Sequence, residues 1–177
     1  MSALKQMSIW VLIVTLTAGA GVVFATNQNG CYKYADSLIN WYNGGTGDYF
    51  NIYQEEAKTD ADAWDPYTDV SLTSVAAAGT TDHVNAYNGS YGSTGWLSLF
   101  EIQSVSGCTL KSTRLRMNQT YLDSGSYTRA NKKAMACNLL GKALGLKNQT
   151  GIAGCMDGTL NNAFPSTHDR DTINSIY

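Results

Sequence analysis

Histidine is scarce in this chain: its 177 residues include two, His83 and His168. A metal centre built on three imidazoles is therefore excluded. Charge is scarce as well, with 12 Lys and Arg against 14 Asp and Glu, so no basic field exists to hold a phosphate backbone. Nucleic acid is not an expected partner. The four cysteines, Cys31, Cys108, Cys137 and Cys155, never fall two to four residues apart, which excludes a zinc ribbon. After residue 25 no apolar run approaches the ~20 residues that a membrane span needs.

The longest apolar run stands at the start. Lys5 precedes Ile9-Trp10-Val11-Leu12-Ile13-Val14-Thr15-Leu16, and small residues lead to Val23-Phe24-Ala25, the pattern of a signal peptide cut after Ala25. Residues 1–25 are accordingly read as a signal peptide and 26–177 as one secreted domain, with no membrane attachment once the leader is cut. A retained anchor is the alternative, for which the run is short. The domain is large enough to bury a single core. An even cysteine set in an exported chain implies two disulfides, with three pairings open. The sequons at Asn88, Asn118 and Asn148 would accept glycans in a host with the machinery.

Hydrophobic periodicity predicts an α+β order. A first strand and an irregular Gly/Asn loop fall within Cys31 to Phe50. Ile52, Tyr53, Ala57, Ala61 and Trp64 recur at helical spacing, predicting a helix from Asn51 to Trp64 that Pro66 stops. Its acidic residues, Glu55, Glu56, Asp60 and Asp62, read as a solvated face. Strands are predicted at Val70–Val75, His83–Tyr87, Trp96–Ile102 and Arg114–Asn118. A buried helix follows between Ala130 and Leu146 and ends at Gly145. A short helix from His168 to Tyr177 closes the chain.

The stretch AMACNLLGKALGLKN, Ala134 to Asn148, resembles the zinc helix of the metzincins, His-Glu-x-x-His-x-x-Gly-x-x-His, in its matrixin-like form. Cys137, Gly141, Ala143, Leu144, Gly145 and Leu146 match. Asn138, Leu139, Lys142 and Asn148 stand at the first ligand, catalytic acid, second ligand and third ligand positions. Gly154-Cys155-Met156-Asp157 resembles the family's Met-turn, with Met156 as its methionine. Pro165-Ser166-Thr167-His168-Asp169 and the final Ile176-Tyr177 resemble its closing segment. Gly92, Gly95, Trp96 and Leu97 resemble the strand that borders the family's cleft. The resemblance implies a metzincin-like single domain, with a twisted mixed sheet, an edge strand along a cleft, two long helices and a short terminal one.

In the family, the histidines hold Zn²⁺ and the Glu deprotonates its water. Here amides, a leucine and an ammonium replace them, so the resemblance implies a secreted protein with no catalytic residue, no bound metal and no cofactor. Its action would be binding or assembly. A peptide or protein could add a strand in the cleft, a second copy could pair along the edge strand, and exposed Tyr and Asn would suit a glycan. The alternative is an active secreted zinc metalloendopeptidase with a non-standard metal site, drawing on His83, His168, Asp157 or Asp169. Position in the motif also implies Cys137–Cys155, stapling the helix to the Met-turn, and leaves Cys31–Cys108. Lys142 has two readings: hydrogen bonds to Asn138 and Asn148 in place of the cation, or a solvated ammonium.

Overall fold

The computed structural model describes residues 28–60 and 62–177. The expected signal segment, residue 61 of the first predicted helix and the side chain of residue 52 lie outside that description. Alternating apolar residues build one six-stranded sheet from β1 (Lys33–Tyr34), β2 (Leu38–Asn43), β3 (Ser71–Ser74), β4 (His83–Gly89), β5 (Ser98–Ser106) and β6 (Thr109–Asn118). The strands run β3-β2-β4-β6-β5 across the sheet, and β1 pairs with the start of β6 on the side that β4 takes further along. Every pairing is parallel except β5 with β6. The sheet is mixed, and among the described residues β5 pairs with β6 alone.

One face of the sheet carries Ile39, Trp41, Leu72, Val84, Ala86, Leu115 and Met117, all buried in one cluster with helix residues Leu139, Leu140 and Ala143. The helices are α1 (Glu55–Thr59), α2 (Gln119–Leu122), α3 (Arg129–Ala143) and α4 (Thr167–Ile176). Two long helices were expected, but α3, with 15 residues, is the long one. The first is a π-helical turn, Tyr49–Gln54, running into α1 and ending at Asp60 rather than at Pro66. Trp64 supplies the reason: it is fully buried and its indole N–H donates to the Cys137 carbonyl at 3.1 Å. The chain leaves the helical path to deliver that ring to the core, and Pro66 sits in a 3₁₀ turn, Asp65–Tyr67, beyond it.

The acidic residues of this segment are not simply a solvated face. Glu55 accepts from Trp41 Nε1 at 2.6 Å and from Asn43 Nδ2 at 2.9 Å. Lys133 of α3 reaches Glu56 at 2.6 Å and Asp60 at 3.2 Å. The carboxylates thus dock the segment to β2 and α3, while Asp62 is exposed.

Both ends of α3 are closed. Thr128 and Asn131 exchange hydrogen bonds as a capping box. At the other end Gly145 adopts φ +99°, Leu146 N–H donates to the Gly141 carbonyl at 2.9 Å and Gly145 N–H to that of Lys142 at 3.1 Å. This Schellman closure needs the left-handed conformation that glycine takes without strain. Disulfides join Cys31 to Cys108 and Cys137 to Cys155, the pairing implied by the motif. In the chain-entropy model a loop of the second one's length is worth ~3 kcal/mol. Among the described residues no helix is long and apolar enough to cross a membrane.

Candidate functional site

The turn at Gly145 redirects the chain so that Asn148 returns to the side of α3 that carries Asn138. Asn138 Nδ2 donates to Asn148 Oδ1 at 3.1 Å and to the Cys155 carbonyl at 2.8 Å, and lies 3.9 Å from Met156 Sδ. Asn138 and Met156 are buried, whereas Asn148 is exposed. Asn138 and Asn148 therefore meet, above the methionine, as a hydrogen-bonded amide pair. The Cys137–Cys155 disulfide fixes the same helix to the same turn.

Lys142 follows Asn138 by four residues and so shares its face of α3. It makes no hydrogen bond to either asparagine, and no ion pair reaches it among the described residues. Burial pushes its ammonium below the ordinary lysine value. Leu139 lies on a different side of the helix, 2% exposed in the core, where it serves packing. The amide of Asn138, rather than the ammonium of Lys142, fills the hydrogen-bonding role.

A lysine whose pKa is lowered on folding has its charged form penalised in the folded chain relative to the unfolded one. Its penalty is full below the folded pKa and fades as pH rises to the unfolded value of ~10.4. Lys142→Met should therefore raise stability at pH 7 by roughly 0.5 kcal/mol, the upper range for a change that breaks no partner. The difference from the parent should shrink by pH 9.5. Urea midpoints at the two pH values test this; a less stable variant, or a pH-independent difference, would reject the desolvation account.

The region expected to border a cleft divides into two parts. Regular pairing starts at Ser98, so Gly92, Gly95, Trp96 and Leu97 precede the strand instead of belonging to it. Gly92 and Gly95 have φ +76° and +80°, which a continuous strand cannot contain. Asn118, fully buried at the end of β6, holds this loop. Its Oδ1 accepts from Tyr91 N–H at 3.1 Å and Thr120 N–H at 3.1 Å. Its Nδ2 donates to the Gly92 carbonyl at 3.0 Å, Thr94 Oγ1 at 3.0 Å and the Trp96 carbonyl at 3.3 Å. Sequence reading assigned Asn118 to a strand end and missed this role; the glycine-rich turn upstream was the available signal. The same bonds enclose the Asn118 sequon, while Asn148 keeps an exposed one.

The remaining candidates are dispersed. His83 opens β4, with Nδ1 against the Thr81 carbonyl, and His168 lies in the first turn of α4. Asp157 Oδ1 accepts from Thr159 N–H and Oγ1, both at 2.7 Å, and Oδ2 accepts from Asn162 at 3.0 Å. Burial raises its pKa, but these bonds outweigh burial and hold the carboxyl below the usual range. Asp169 forms a capping box with Ser166 at the head of α4. Among the described residues no three His, Cys, Asp or Glu side chains are grouped to share a metal ion. The family's zinc does not fit this set: Asn138 presents N–H donors to its neighbours, and Lys142 would bring a second positive charge.

No protein-family model and no curated protein matches the chain. Two solved structures of myroilysin are similar in shape. One, described as "Crystal structure of myroilysin", has a TM-score of 0.47 and 15% identity over 85% of this chain and 87% of that one. The other, "Structure of myroilysin", has a TM-score of 0.39 and 18% identity over 71% and 58%. At that identity and superposition the likeness carries no chemistry over to this chain.

Proposed function

We propose that this is an exported, catalytically inactive metzincin-like protein that acts by binding or assembly. The single observation that carries the reading is the commitment of Asn138. Its amide is bonded to Asn148 and the Cys155 carbonyl over Met156, where a zinc site would need lone pairs pointing at one centre. Removing three ligands and the base leaves no route to an activated water. The helix and the methionine turn remain because they are the core: Leu139, Leu140, Leu144 and Met156 are all buried there.

The strand order, with an antiparallel β5 at the edge, supports the metzincin-like assignment. The same edge is the surface on which a peptide or a second copy would add a strand, because main-chain groups there have no neighbour within the sheet. Two disulfides suit an oxidising, extracellular setting.

Protein purified without chelator and offered excess zinc should hold well under one zinc per chain by mass spectrometry, and should cleave no general peptide substrate. One zinc per chain with chelator-sensitive cleavage would establish the active metalloendopeptidase instead. Sedimentation over a concentration range then separates the two modes of action, since self-pairing along β5 makes mass depend on concentration and binding to another chain does not.

A further inference from the structure

On β6, Thr113, Leu115 and Met117 are buried, and alternation turns Arg114 and Arg116 to the opposite face of the sheet. Tyr87 of β4 is in register with Arg116, and Tyr91 lies in the loop that follows. These four side chains line a recess of ≈ 290 Å³ on the face away from α3. No carboxylate lines it.

The two arginines differ in their surroundings. Arg116 is fixed and neutralised: Nη2 lies 2.8 Å from Glu101 Oε2, and the guanidinium sits 5.3 Å from the Tyr91 ring centre and 5.4 Å from that of Trp96. Glu101 is in register with Arg114 but gives its charge to Arg116. With the Gln103 amide turned so that its oxygen faces Arg114, Nη2 and Nε donate to it at 2.5 and 3.1 Å. A neutral amide thus orients Arg114, and among the described residues no ion pair reaches its guanidinium.

We propose that this recess binds an oxyanionic group, a carboxylate or sulfate, with Arg114 as the charged donor and the phenols of Tyr87 and Tyr91 as neutral ones. Guanidinium is the side chain that pairs both oxygens of such a group. The volume lies at the lower end of ligand sites, ~300–1,000 Å³, which fits a free ion or one acidic sugar ring. The site is independent of α3, and it stands whether or not that helix binds zinc.

The test is titration of the full chain with sodium sulfate, sodium glucuronate and neutral glucose at constant ionic strength, followed by NMR amide and Arg Nε–H shifts. Saturable shifts at Arg114 and Tyr87 with the anions, and none with glucose, are expected. Tighter glucuronate identifies a sugar acid as the source, and tighter sulfate a free ion. Arg114→Gln should weaken binding at least ten-fold, while Arg129→Gln, on α3, should leave it unchanged. If Arg114→Gln fails to fold, Arg114→Lys, which keeps the charge but loses the fork, should bind several-fold more weakly. No saturable shift with either anion, or equal weakening by Arg114→Gln and Arg129→Gln, would overturn the proposal.

Discussion

Asn118→Ala should cost about 3 kcal/mol, because one buried amide makes five hydrogen bonds and a typical one is worth ~1 kcal/mol net. Part of the loss is recovered by water, since Gly92 and Thr94 are exposed; the Trp96 carbonyl and Tyr91 N–H are less accessible. The loop should also loosen, making Gly92 to Trp96 the first site of limited proteolysis. Asn118→Asp is the sharper variant, since it keeps the shape and turns acceptors toward the Gly92 and Trp96 carbonyls. It should cost at least as much as alanine. Urea unfolding with an unchanged slope measures both; a loss below ~1 kcal/mol for alanine would mean that water replaces the amide.

Gly141→Ala should destabilise by about 2 kcal/mol, against the ~1 kcal/mol gain that helix propensity alone assigns to it. A β-carbon at Gly141 would lie 2.4 Å from Met156 Sδ and 2.6 Å from Trp64 Cζ2. Both neighbours are buried, so a methyl group can enter only by displacing a packed ring or the methionine turn. Overpacking of this kind costs ~1–3 kcal/mol. Met156→Ala should make the same substitution less harmful, because it removes the closer obstacle, and the coupling in a double-mutant cycle measures that contact. A stabilised Gly141→Ala variant would show that the turn moves away freely and that α3 is not seated on it.

Elements with a strong period were legible from the residues. Alternation located β3 and the second half of β6, strands were also expected at β4 and β5, and the apolar spacing located α3 and its end at Gly145. The first helix was misjudged for a physical reason: Ala57 and Trp64 both enter the core, yet they do so from a short helix and a separate turn. Periodicity records which residues are buried, not whether one helix buries them. The Gly92 to Leu97 stretch failed similarly. The family resemblance implied a strand there, while the positive φ of two glycines and the side chain of Asn118 made a loop.

For the candidate site, the resemblance singled out Asn138, Leu139, Lys142 and Asn148 and implied how the cysteines pair. It could not indicate which of Asn138, Lys142 and Asn148 would interact. An amide can donate or accept and an ammonium can only donate, so several networks satisfied the sequence equally.

The sequence by itself determined the chemical inventory: two histidines, an even set of cysteines, amides and a lysine along one helix, and the spacing of apolar faces. Tertiary structure alone decided that Asn138 rather than Lys142 bonds to Asn148, that Asn118 organises a loop, and that Glu101 neutralises Arg116 and leaves Arg114 charged. These are contacts between elements far apart in the chain. Their outcome depends on distances and orientations set by sheet register and helix packing, which no local pattern encodes.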